Sequence, residues 1–234
     1  MEVDREAPQW GLGDALAGFA VGFVCLAVAG ALWVSLTGST KVTPGFFAAT
    51  EAGLWVGTIG APVLASRRKG TDDLARDFGL RFRSADPGIG IPVGIASQLL
   101  LVPLISLPIL WLTGHHDLSK PAKEVIGVAH GAGSVALLAA VLVVGAPIAE
   151  ELFFRGLVLR SIQRRFAASP RADTWAVAGS AVVFGIVHFE PLQFPALVAF
   201  GVVLGVLAVR TGRLGPGIWA HAAFNAVTVI LLTR

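Results

Sequence analysis

The sequence predicts an all-α protein, a multi-pass transmembrane helical bundle of about seven spans, with eight as the alternative count. Three observations lead to this class. The 234-residue chain is 55% hydrophobic and only 14% charged, whereas a water-soluble domain carries about 25% charged residues. Its mean hydropathy is +0.75. The apolar residues also lie in long runs, and a helix needs about 20 residues to cross a hydrocarbon core of about 30 Å.

In order, the runs are 12–36, 46–65, 88–112, 133–163, 174–189, 194–209 and 214–232. The fourth is longer than one simple crossing requires, and the fifth and sixth are short. The opening MEVDREAPQWGLGD is acidic where a cleaved signal peptide has a basic start, so the first run reads as a retained helix. Cys25 is the one cysteine of the chain, which excludes an internal disulfide and a Cys-based metal site. The segment RRKGTDDLARDFGLRFRSADPG is the one sizeable polar stretch and predicts a loop with a short helix. Residues 1–234 read as a single integral membrane domain.

Basic residues orient the bundle. Arg5, the loop from Arg67 to Arg83, the stretch from Arg155 to Arg171, and Arg210 with Arg213 put 14 of the 18 Lys and Arg on one side. Lys41, Lys120, Lys123 and Arg234 fall on the other. This predicts a cytoplasmic N-terminus and an outside C-terminus in the plasma membrane of a prokaryote. It accounts for the basic loops without nucleic acid. Glycines spaced by four, at Gly18/Gly22, Gly53/Gly57, Gly127/Gly131 and Gly201/Gly205, predict close helix packing in lipid.

Ionisable groups at membrane depth are costly and usually face the bundle interior. They are few here: Glu150, Glu151 and Arg155 in the fourth run, His188 near the end of the fifth, His221 with Asn225 in the seventh. Measured from the basic side at 1.5 Å per residue, Glu150 lies about 15–22 Å deep, His188 about 21 Å, and His221 with Asn225 about 12–18 Å. Similar depths on three helices predict one shared site. Glu151 and Arg155 are spaced i, i+4 and predict a pair on one face. Glu150 is turned about 100° from Glu151. Pro147 predicts a kink just before them. Glu51, Gln98, His130 and the loop pair His115 and His116 are weaker candidates, Glu51 because it lies near the outer start of its span.

A carboxylate and an imidazole can hold a water and take its proton as it attacks a carbonyl. A second imidazole with an Asn amide can stabilise the oxyanion. The set therefore suits amide hydrolysis. It also resembles a two-His-one-carboxylate zinc site of Glu150, His188 and His221, although HExxH is absent. Whether a divalent metal takes part stays open at this stage, with a cofactor-free reaction preferred.

The stretches EELFFR (Glu150, Glu151, Arg155), FGIVH (Phe184, His188) and HAAFN (His221, Asn225) resemble the EExxxR, FxxxH and HxxxN motifs of the CPBP family, the type II CAAX prenyl endopeptidases and bacteriocin-processing membrane proteins. The match runs from about Ala146 to Asn225, so that 130–232 reads as the catalytic core carrying the three motifs. It implies an all-helical intramembrane endopeptidase whose cavity opens to the cytoplasm. By position, Glu150 and His188 would bind and activate the water, and His221 and Asn225 would stabilise the oxyanion. Glu151, Arg155 and Phe184 would support them. The implied partners are the lipid bilayer and a peptide or membrane-anchored protein substrate. The other functions compatible with these residues are a proton-coupled transporter and a non-catalytic immunity or scaffolding protein.

Overall fold

The computed structural model describes residues 8–114 and 120–233. Arg5, His115, His116, Asp117 and Arg234 lie outside the described residues. Nine helical stretches are described: α1 (Leu12–Thr37), α2 (Pro44–Lys69), α3 (Leu74–Asp77), α4 (Asp86–Thr113), α5 (Lys120–Gly127), α6 (Ala132–Arg165), α7 (Ala172–Ile186), α8 (Phe194–Thr211) and α9 (Gly215–Leu232). Six of them are long and apolar enough to cross a membrane, and α7 is a shorter apolar helix. Leu16, Leu36, Leu104 and Trp111 stand exposed on the outside, as lipid-facing side chains do.

The 34-residue α6 lies at the centre and touches α1, α2, α7, α8 and α9. Around it, α1 packs on α2, α4 on α9, and α7 on α8. α6 runs on through Pro147 by widening into π-helix at Ala140–Gly145 and again at Glu151–Val158. Proline lacks an N–H and crowds the carbonyl four residues back, and a wider turn relieves that conflict. α4 does the same: Ser97–Leu101 is π-helical just before Pro103.

The glycine pairs of α1 and α2 interlock. A Cβ on Gly57 would overlap the Gly18 carbonyl and the Gly22 amide, and one on Gly53 would lie 2.6 Å from the Cys25 oxygen. Gly201 and Gly205 admit Ala181 and Val177 of α7. Gly127 and Gly131 depart from the packing expectation, since a Cβ at either would meet nothing within 4 Å. They flank the break between α5 and α6, where Gly131 turns the chain at φ +86°.

The basic segments gather at one end of the bundle and are tied together there. Arg164 donates to the carbonyls of Pro8 and Trp10, and Lys69 pairs with Asp14 at 2.6 Å. Arg160 bonds the Gly212 carbonyl. The polar segment after α2 is folded against this end. Asp77 accepts from Ser66 and Thr71, and Phe78 is fully buried against Trp10. Asp86, also fully buried, receives Arg213 Nη2 at 2.7 Å and Nε at 3.0 Å, locking α4 to the turn before α9.

Candidate active site

Residues 151–159 of α6 are buried without exception. Arg155 Nη1 donates to Glu151 Oε1 at 2.9 Å, and both residues are at 0% exposure. Arg155 Nη2 also donates to the Gly201 carbonyl of α8 at 3.2 Å, and its guanidinium lies 4.4 Å from the centre of the Phe184 ring. An anion, a carbonyl and an aromatic face thus replace the water this cation gives up on burial.

His221 comes in from α9. Its Nδ1 lies 3.2 Å from Glu151 Oε1, and its Nε2 lies 3.8 Å from Glu150 Oε2. Spacing alone turns the two glutamates toward separate partners. Here one imidazole reaches both, because its two nitrogens sit on opposite edges of the ring. A carboxylate only accepts, so Nδ1 carries the hydrogen toward Glu151 and Nε2 is left facing Glu150. Phe184 and Phe200 hold the ring edge-on at 5.8 and 5.5 Å. One turn earlier, a Cβ on Gly217 would press to 3.0 Å from Glu151 Oε2.

His188 stands in the turn after α7, which ends at Ile186 and not at Phe189 as the apolar run implies. Phe189 takes a left-handed φ of +54°, a conformation that costs a non-glycine residue about 1–3 kcal/mol and recurs at functional sites. His188 Nδ1 lies 2.6 Å from the Phe184 carbonyl. The carbonyl can only accept, so Nδ1 donates and Nε2 keeps its lone pair. The His188 ring lies 4.6 Å from that of Phe184, which therefore touches both histidines and Arg155.

Asn225 lies one turn beyond His221 and donates from Nδ2 to the Leu142 carbonyl at 2.7 Å. That carbonyl belongs to the first π segment of α6, so Asn225 also ties α9 to α6. Nδ2 keeps a second hydrogen. Among the described residues, Glu150 Oε2, Glu151 Oε2 and Arg155 Nε are buried without a hydrogen-bond partner.

Of the weaker candidates, His130 is exposed and Gln98 has a buried carbonyl oxygen without a partner. Glu51 is half-buried on α2.

Among the described residues, no three His, Cys, Asp or Glu side chains are grouped so as to hold a metal ion. The set Glu150, His188 and His221 does not form such a group.

Comparison with known proteins bears on the same stretch. The family model described as type II CAAX prenyl endopeptidase Rce1-like matches residues 132–227, from the start of α6 into α9. This part of the chain is similar to the CPBP family. The chain is also similar to the Bacillus subtilis (strain 168) protein named "Putative membrane peptidase YdiL", 32% identical over 100 residues. The alignment covers 42% of this chain and 38% of that protein. No solved structure matches. Family and apolar helices together make the chain an integral membrane protein.

Proposed function

We propose that the protein is a CAAX-type intramembrane endopeptidase that cleaves a peptide bond with a water activated by Glu150 and His188. The observation that carries this reading is the position of Glu150. It is a carboxylate with a buried, unpartnered oxygen, set 3.8 Å from one motif histidine beside the Phe184 ring that also touches the other.

His188 Nε2, with its lone pair free, accepts one hydrogen of the water. Glu150 accepts the other and removes it as the water oxygen bonds to the substrate carbonyl carbon. His221, held by Glu151 through Nδ1, donates from Nε2–H to the developing oxyanion when its ring carries both hydrogens, and the second Asn225 amide hydrogen assists. The carbon–nitrogen bond breaks as Glu150 returns its proton to the leaving amine. Arg155 holds the Glu151 carboxylate in place throughout. Glu150, His188, His221 and Asn225 are the catalytic residues of this scheme, and Glu151, Arg155 and Phe184 support them.

The substrate is a peptide or membrane-anchored protein reached from the cytoplasmic face, in an orientation that places the basic end inside a prokaryotic plasma membrane. The test is a proteome comparison of host cells carrying wild type and Glu150→Ala at equal protein level. The expected result is a precursor that accumulates in the variant and disappears on complementation. An unchanged proteome overturns the reading.

A further inference from the structure

The crossed pair α1 and α2 leaves a groove on the lipid side of the bundle, apart from the residues of the scheme above. Its volume is about 520 Å³, and none of Glu150, His188, His221 and Asn225 lines it. Sites that hold small molecules measure about 300–1,000 Å³. Small residues make the floor: Gly18 of α1 meets Gly57 and Ala61 of α2, so the two backbones close there without side chains to fill the valley. Gly60 adds a gap that a Cβ would enter without meeting anything within 4 Å. Val21, Val56 and Leu64 form the walls and stand exposed.

One end of the groove is charged. Arg67, Arg68 and Lys69, in the last turn of α2, line it together with Asp14 of α1. Lys69 and Asp14 pair at 2.6 Å and cancel. Arg67 meets Asp72 only loosely, at 3.7 Å, and Arg68 is exposed beside it. The mouth is therefore cationic and the walls below it are apolar. From Lys69 back to Val56 the groove descends about 20 Å at 1.5 Å per residue. A single leaflet contributes about half of the roughly 30 Å hydrocarbon core, so the groove reaches through one leaflet.

We propose that this groove binds an anionic phospholipid from the leaflet at the basic end. Its phosphate sits between Arg67 and Arg68, and one acyl chain lies along Gly60 between Val21 and Leu64. Basic pockets between membrane helices on the cytoplasmic side recognise anionic headgroups, and the basic end is the cytoplasmic end in the orientation given above. A soluble anion would leave the apolar walls uncovered. A second copy would meet this face through a two-fold axis, and, running parallel in the same membrane, would set its own Arg67 and Arg68 against these. Charge and shape together therefore favour the lipid. Its binding requires no peptidase activity.

The test uses the full-length protein in detergent micelles, titrated with phosphatidylglycerol or with phosphatidylcholine of the same acyl chains, and bound lipid is counted by native mass spectrometry. One phosphatidylglycerol per chain is expected to be retained, with phosphatidylcholine at least about tenfold weaker, the effect of about one charge at a membrane surface. Arg67→Ala combined with Arg68→Ala is expected to weaken phosphatidylglycerol by about thirtyfold, at about one such increment per charge. Gly60→Phe and Ala17→Phe fill the groove from opposite walls, and both are expected to lose the lipid while keeping the charges and the wild-type melting temperature. Equal retention of the two lipids overturns the proposal, as does wild-type binding in the double arginine variant. Binding that survives in both Phe variants assigns the attraction to the exposed arginines alone and overturns the groove. A dimer that Gly60→Phe disperses gives the face to a second copy, and displacement of the lipid by an equal concentration of glycerol phosphate gives it to a soluble anion; either result also overturns it.

Discussion

One oxygen of Glu151 serves two partners: Oε1 accepts Arg155 Nη1 at 2.9 Å and lies 3.2 Å from His221 Nδ1. An intrahelical ion pair and an interhelical contact therefore share a single atom. Removing that charge frees both partners at once.

Glu151→Gln leaves Arg155 as a fully buried cation without its counter-charge. Breaking one side of a buried pair costs about 3–5 kcal/mol, whereas replacing both sides by apolar groups is close to neutral. Thermal unfolding in detergent should therefore show a large loss for Glu151→Gln and substantial recovery in Glu151→Leu combined with Arg155→Leu. If the double variant is as unstable as the single, the ion pair is not the source of the loss.

Gly57 and Gly60 lie three residues apart on α2 but meet different surroundings. A methyl on Gly57 would run into the backbone of Gly18 and Gly22, while one on Gly60 meets nothing within 4 Å. Gly57→Ala should push α1 off α2 and lower the melting temperature, and Gly60→Ala should leave it unchanged. Equal effects from the two substitutions would contradict the interlocked packing.

Asp86 and Arg213 make the clamp that sets the start of α9, with Arg213 two residues before Gly215 and eight before His221. Arg213→Ala strands a carboxylate that is fully buried and retains the Arg83 amide as a donor. A loss of about 3 kcal/mol is expected, at the lower end for a broken buried pair. Gly215→Ala should also destabilise, because its Cβ would overlap Asp86 Oδ2. Chemical denaturation of both variants checks this, and wild-type midpoints would rule the clamp out.

Much of this was legible in the sequence, and the limits have physical causes. Run length places the helices, because the need to satisfy the backbone in lipid leaves few alternatives. The pair Glu151–Arg155 follows from i, i+4 spacing. Its third partner, His221, does not, since rotation of α9 against α6 is set by packing around Phe184, Phe200 and Gly217. The same holds for Asn225, whose bond to Leu142 depends on the π-helical widening of α6.

The matched family segment begins at residue 132. Yet Trp10, Ala15, Ala65 and Phe78 belong to the same buried cluster as Leu152, Phe153 and Leu157, and Phe19 stacks on Phe153 at 6.0 Å. The border of recognisable kinship thus cuts through continuous packing. A fragment trimmed to that border would expose the faces of its central helix that pack on α1 and α2, so the matched segment is only part of the packed unit.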